Sequence, residues 1–270
     1  MMSWLDLRDP PAIIQPAPQG YDRRNGLLLP NARRAIRDCA RPRGASLMLT
    51  PLVGFGAGGG GPELIFRSSA VSAASLTTYT FAAMAIGAAS ANRLVIALLF
   101  SHDGAGTAGD APTSVTIGGV TATIHVSGVG TGANECSASV CSALVPTGTT
   151  ADVVATWPDA RTRAGCGVYT LTDYGSATPV ATASAIDDPN TAVSVSLTVT
   201  AIQVGVVGST SNPGASTTCT WTNATENFDS VMEAGFGSCS SAAVAAGFSG
   251  TVTATWANSG AVAIAGAVWG

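Results

Sequence analysis

Residues 151–157 read Ala-Asp-Val-Val-Ala-Thr-Trp, and residues 251–256 read Thr-Val-Thr-Ala-Thr-Trp. In both stretches every second residue is apolar and the series ends on tryptophan: Val153, Ala155 and Trp157 in one, Val252, Ala254 and Trp256 in the other. A period of two is the pattern of a β-strand with one face buried, and it puts both tryptophans on the core side. The likeness extends outward from these strands. Residues 137–143, Ser-Ala-Ser-Val-Cys-Ser-Ala, match residues 237–243, Gly-Ser-Cys-Ser-Ser-Ala-Ala; residues 114–120, Ser-Val-Thr-Ile-Gly-Gly-Val, match residues 218–224, Thr-Cys-Thr-Trp-Thr-Asn-Ala. Another strand follows each tryptophan, and an apolar run precedes each hairpin, at residues 94–100 and 202–207. The repeat is roughly 100 residues long, the size of a whole β-sandwich and too long for a solenoid unit.

The fold expected is therefore all-β: two tandem β-sandwich lobes, jelly-roll or Ig-like, after an extended N-terminal arm. The first lobe is placed at residues 63–175 and the second at 176–270. Composition agrees, since the 270 residues are only 10% charged and 46% hydrophobic, with 32 glycines. Strands and tight turns suit such a chain better than amphipathic helices. Within the first lobe, Gly118-Gly119 between Val-Thr-Ile and Val-Thr-Ala predicts a two-residue hairpin.

Two segments precede the lobes. Residues 48–62 include Gly54, Gly56 and the run 58–61, and read as a flexible glycine-rich linker. No Gly-Lys-Ser/Thr ending follows, which excludes a phosphate-binding loop. Residues 1–47 hold Arg8, Arg23, Arg24, Arg33, Arg34, Arg37, Arg41 and Arg43, eight of the chain's twelve basic residues, broken by Pro10, Pro11, Pro16, Pro18, Pro30 and Pro42. With Asp6, Asp9, Asp22 and Asp38 this segment carries +4 while the whole chain carries −4, so the remainder carries −8. It reads as an extended Arg/Pro-rich arm whose Arg23, Arg24, Arg33, Arg34, Arg37, Arg41 and Arg43 attach to a larger particle. Asn31 could cap a short basic helix within it. An alternative start at Met48 would remove the arm altogether.

Charge and hydropathy also exclude partners. An acidic body is repelled by phosphates, so no nucleic acid is expected. The longest apolar run, residues 94–100, is far shorter than the ~20 residues that span a bilayer, so no membrane is expected either. No early apolar segment predicts an export leader.

Catalytic chemistry was sought at His102, next to Asp103, and at His125. Neighbours in a strand point to opposite faces, which separates His102 from Asp103, and His125 falls out of phase with Ala122, Ile124 and Val126, predicting a solvent-facing side chain. Among Asp159, Asp173, Asp187, Asp188, Glu226, Asp229 and Glu233 no spacing fixes a carboxylate pair for glycoside hydrolysis. Asp187-Asp188-Pro189-Asn190 reads as a turn. The six cysteines form no CxxC pair and imply no zinc site. Cys219 and Cys239 could form a disulfide or remain buried thiols. Trp157, Trp221 and Trp256 could form a sugar-stacking platform, against which their core phase argues; Trp269 reads as covering a lobe edge or a subunit contact. No catalytic residue, cofactor or metal ligand is assigned, and the chain is not expected to be an enzyme.

At residues 115–123 (Val-Thr-Ile-Gly-Gly-Val-Thr-Ala-Thr), 145–154 (Val-Pro-Thr-Gly-Thr-Thr-Ala-Asp-Val-Val) and 220–229 (Thr-Trp-Thr-Asn-Ala-Thr-Glu-Asn-Phe-Asp) the sequence resembles uncharacterised virion structural proteins of tailed bacteriophages, over residues 63–270. The resemblance implies a head-decoration, head-fibre or tail-associated part, assembled in the bacterial cytoplasm, with other virion proteins and further copies of itself as partners and a host-surface glycan or receptor as a possible target. The alternative is a bacterial surface adhesin or carbohydrate-binding module.

Overall fold

The computed structural model describes residues 61–103, 110–130, 136–212 and 218–270, and these form strands and turns with no helix. The first half of the repeat contributes β1 (Glu63–Ser72), β2 (Leu76–Ala85), β3 (Leu94–His102), β4 (Ser114–Ile117), β5 (Val120–Thr121), β6 (Thr123–Val129), β7 (Cys136–Leu144), β8 (Thr150–Arg161) and β9 (Arg163–Thr172). The second contributes β10 (Ala181–Thr198), β11 (Val204–Asn212), β12 (Cys219–Thr222), β13 (Thr225–Glu233), β14 (Gly237–Val244) and β15 (Ser249–Trp269).

In the first half an inner sheet ordered β1-β9-β3-β7-β6 faces an outer sheet ordered β2-β8-β4-β5. In the second, β10 and β15 are long enough to serve both layers. Residues 181–187 of β10 and 261–269 of β15 join β11, β14 and β13, while residues 192–198 and 249–256 join β12. The register shifts around Asn190 mark the corner, where the Asn190 amide donates to Asp187. Residues 187–190, expected as a turn, instead stay within β10 as an irregularity of its pairing with β15. The strand order of the two halves is thus the same: β3 matches β11, β7 matches β14, β6 matches β13, β8 and β9 match the two ends of β15, and β1 and β2 match those of β10.

The register places the tryptophans together. Thr156 pairs with Thr78 on one side and Ser114 on the other, as Thr255 pairs with Ala192 and Thr220, so the next residues, Trp157 and Trp256, share one structural position. Trp157, with Phe81, Ile117 and Val153, closes the core against Val95, Ala97 and Leu99 of β3. Trp256, with Val195 and Val252, does so against Val207 of β11 and Ile264 of β15. Alternate residues of these outer strands face water as hydroxyls, and some join across strands, Thr78 with Thr156 at 3.0 Å and Ser194 with Thr253 at 2.8 Å. Gly118 and Gly119, at φ +59° and +79°, make the β4–β5 turn with both central residues left-handed, the type I′ geometry that only glycine adopts cheaply.

A third core lies between the two inner sheets. Leu94, Ile96, Leu98 and Phe100, the alternate residues of β3, pack against Val206, Ala263, Ala265, Ala267 and Trp269. This is why residues 94–100 are apolar without alternation: β3 is buried on both faces. The packing is reciprocal, since β6 lies on β10 and β15, β13 lies on β1 and β9, and β3 lies on β11. Equivalent strands exchange places across the seam, the arrangement of a two-fold homodimer built into one chain. Both sandwiches fall within one compact unit, Ala57–Gly270.

Small residues set the closeness of the seam. A Cβ on Gly128 of β6 would meet the Ile264 carbonyl oxygen at 2.6 Å and that of Ala185 at 3.0 Å, both rigid backbone. Gly128→Ala should therefore force the sheets apart and destabilise the chain by about 1 to 3 kcal/mol, seen as a lower denaturant midpoint. An unchanged midpoint would mean that the seam is looser than these distances.

Candidate functional site: the seam between the halves

Both histidines lie at the seam and serve its packing. His102 ends β3, paired with Cys136 of β7 and Arg163 of β9, and its side chain is fully buried against the second half. Its Nε2 lies 2.6 Å from the Thr210 hydroxyl of β11. Thr210 spends its one proton on the Ser238 carbonyl at 2.8 Å, so it accepts from His102 and the imidazole carries its proton on Nε2. Nδ1 is then a bare acceptor, and no donor among the described residues reaches it. Gly237 presses on the same edge, where a Cβ would come within 2.3 Å of Nδ1. Burial, reinforced by the Arg163 charge and opposed by the Phe236 carbonyl, lowers the His102 pKa to about 3. The ring is neutral and is no general acid or base for water-borne substrates.

Arg163 crosses the seam beside it. Its Nε donates to Glu233 at 2.7 Å, its Nη1 to the Phe236 carbonyl at 3.2 Å, and its guanidinium stands 5.1 Å over the Phe236 ring. Farther along, the Tyr169 hydroxyl meets Ser241 and the Asn227 side chain, and Phe66, Tyr169, Phe100 and Phe228 form a chain of ring contacts between the halves. Asp103, beside His102 in sequence, turns to Arg161 instead at 3.8 Å. Arg161 also holds Asp110 at 3.1 Å, so both aspartates bracketing residues 104–109 are bound to one buried guanidinium.

The expectations for His125 and Trp269 are corrected, the core phase of Trp157 and Trp256 holds, and the open alternative at Cys219 and Cys239 falls to buried thiols. His125 does not face solvent: the bulge between Ile124 and Val126 shifts its phase, and it is half-buried, bonded to Ser142 at 2.8 Å and edge-on to Trp269 at 5.8 Å. Burial lowers its pKa. The Cys219–Cys239 disulfide is not formed. Both are free thiols on opposite faces of the inner sheet, Cys219 in the core of the second sandwich and Cys239 in the seam. Trp269 covers no edge; it is fully buried in the seam, its indole N–H donating to the Ala177 carbonyl at 3.1 Å. Trp157 and Trp256 are buried, and Trp221 is half-buried with its N–H on Ser240, so these tryptophans make no sugar platform. Of the carboxylates weighed as a pair, Asp229 accepts the Cys219 N–H at 2.9 Å, and burial raises both it and Glu226, with Asp229 adding to the rise at Glu226. Among the described residues no group of three or more His, Cys, Asp or Glu side chains could hold a metal ion. The arm arginines, Arg23, Arg24, Arg33, Arg34, Arg37, Arg41 and Arg43, lie outside the described residues.

Glu233 was weighed only as one of a carboxylate pair, and Arg163, Phe228 and Tyr169 were not singled out, because cross-seam partners lie about 60 or 70 positions apart with no local pattern to join them. Compared with protein-family models, curated proteins and solved structures, the chain has no match in any of the three.

Proposed function

We propose that this chain is a structural component of a bacteriophage virion, attached to the particle by its arginine-rich arm, with the doubled sandwich as a rigid projecting body. The observation that carries this reading is where the arginines are spent. The four beyond residue 47 are all engaged inside the body: Arg67 on Thr170, Arg93 on backbone carbonyls, Arg161 on Asp103 and Asp110, and Arg163 on Glu233. The exposed charges of the body are carboxylates, among them Glu63, Asp152, Asp159, Asp173, Asp187, Asp188 and Glu226. No arginine of the described body is left over for an acidic assembly, and the chain's other basic residues all belong to residues 1–47. A body whose histidines and tryptophans serve its cores is built for stiffness rather than turnover. The carbohydrate-module alternative calls for outward aromatic rings, and among the described residues Phe236 is the one exposed aromatic side chain.

Deleting residues 1–47 should leave a folded, soluble body that no longer joins purified particles, and attachment of the full chain should weaken as salt rises, because exposed ion pairs are screened. Normal incorporation of the truncated chain, or a native N-terminus at Met48 by mass spectrometry, would overturn this reading.

A further inference from the structure

The pseudo-two-fold of the seam is broken at one place. On one side of the axis stand His102 and Arg163, facing Thr210, Glu233, Phe236 and Gly237 of the second half. The positions equivalent to His102 and Arg163 in the second half are Asn212 and Ala261, the next residues of the same ladders, which carry no ionisable group. Elsewhere the seam is apolar packing and neutral hydrogen bonds, with one further histidine, the half-buried His125 of β6, edge-on to Trp269 and bonded to Ser142. The cross-seam ion pair among the described residues, Arg163 with Glu233, thus stands beside His102 at one end of an interface whose two sides are separately cored sandwiches.

We propose that this end is an acid-operated latch: in the closed chain the neutral imidazole of His102 bonds Thr210 across the seam, and its protonation releases the His102 end so that the sandwiches part along the seam while each keeps its own core. A second proton meets a poor site. Protonated Nδ1 would become a buried donor whose nearby acceptor, the Phe236 carbonyl, is shared with Arg163 and does not outweigh burial and the Arg163 charge. The groups packed around the ring do not offset a new charge. From β9 comes the Arg163 cation; from β13 comes Glu233, already neutralising Arg163; from β7 comes Cys136, a buried thiol directed at the Thr210 carbonyl; β11 and β14 offer Thr210, Ser238 and Gly237, none of which carries charge. On the strand's own end, Asp103 is turned to Arg161. An imidazolium here is repelled by one cation and balanced by no free anion.

The direction of the pH effect follows. The closed-state pKa, about 3, is below the ordinary 6.5 that His102 regains when exposed, so the open state binds more protons between these values. Opening is pH-independent above 6.5 and becomes easier by up to about tenfold per unit as pH falls below it.

The cysteines report the seam separately from the cores. Cys136 and Cys239 lie in the seam, Cys141 and Cys166 in the core of the first sandwich, and Cys219 in that of the second. The full chain should be exposed at pH 7 and at pH 4.5 to a dithiodipyridine, which modifies thiols in acid. Each site is quantified by peptide mass spectrometry and normalised to a free cysteine peptide. Labelling of Cys136 and Cys239 should accelerate at least tenfold at the lower pH, with Cys141, Cys166 and Cys219 unchanged. His102→Asn and, as a second variant that keeps an N–H where Nε2 stood, His102→Gln should make seam labelling insensitive to pH in whichever of them folds. If all five thiols accelerate together the acid effect is global unfolding, and if the seam thiols accelerate equally in the folded variant another group is responsible; either result overturns the latch. The inference does not depend on a virion role.

Discussion

Truncating Trp256 to alanine is expected to destabilise the chain by about 3 to 5 kcal/mol, and Trp157→Ala by a similar amount, lowering the melting temperature by about 10 °C in each case. Both indoles are 1% exposed and each closes the core of one sandwich, so removal leaves a cavity between sheets that ladder hydrogen bonds keep from collapsing. Replacement by phenylalanine separates the two. Trp256 donates its N–H to the Ser209 hydroxyl at 3.1 Å, and Ser209 passes its own proton to the Ala263 carbonyl at 2.9 Å. At the equivalent position of β3 stands Leu99, and the Trp157 N–H has no acceptor among the described residues. Trp256→Phe should therefore lose a hydrogen bond worth about 1 kcal/mol that Trp157→Phe does not have to lose. Thermal unfolding of the four variants checks this. Equal melting temperatures for the two phenylalanine variants would show that the Ser209 bond contributes nothing net, and unchanged temperatures for the alanine variants would place the indoles outside the cores.

The same comparison shows what the sequence made legible. Alternation around Trp157 and Trp256 was enough for fold class and for the core phase of both indoles, because a half-buried strand writes its burial into every second residue. The upstream matches slipped. Ser137 was set against Gly237, whereas the ladders Ser101–Ser137 and Ser211–Ser238 match it with Ser238; Ser114 was set against Thr218 but lies opposite Thr156 as Thr220 lies opposite Thr255, which matches it with Thr220. Strands of Ala, Ser and Cys carry too little contrast to fix a register by eye, and one residue of slip exchanges the two faces. His125 was misplaced for a related reason, since a bulge inserts a residue that no local pattern announces.

The seam was hidden for a different reason. Leu94 to Phe100 could be recognised as buried on both faces, but not what lay on the second face. That face is covered by alternate residues of β11 and β15 with low contrast of their own: Val206, Gly208 and Thr210 in one, Ala261, Ala263, Ala265 and Ala267 in the other. Small residues there are what the large ones opposite require. A Cβ on Gly208 would lie 2.8 Å from the Phe100 ring, and one on Gly167 2.3 Å from that of Phe228. Phe100 of the first half and Phe228 of the second are thus each accommodated by a glycine of the other half, a match that local pattern along either strand does not announce.

Arg93 is expected to be the most sensitive charged position, with Arg93→Met costing about 3 kcal/mol or more. It is 1% exposed, yet among the described residues no carboxylate pairs with it. Its Nε donates to Val145, its Nη2 to Thr147, and its Nη1 is shared among the carbonyls of Gly87, Ala88 and Gly148, at 2.6 to 3.0 Å. These oxygens belong to the two loops that enclose the end of β3, residues 86–93 and 145–149. One planar guanidinium therefore ties both loops down, and removing it leaves several carbonyls without a donor in a region only part-open to water. The second half shows how much of this the turn itself needs. Gln203 follows Thr200 in the same turn in which Arg93 follows Ser90, Arg93 and Gln203 donating their backbone N–H groups to the Ser90 and Thr200 carbonyls at 3.1 Å in each case, and the Gln203 side chain only accepts the Thr200 N–H at 2.9 Å. A glutamine thus suffices for the turn but cannot gather two loops. Arg93→Gln should accordingly keep the fold while losing most of the stabilisation, and Arg93→Lys, a point charge without the fork, should recover less than half. Denaturant midpoints of the three variants give the test: a lysine variant as stable as the parent would mean that charge, rather than the planar array of donors, holds the loops.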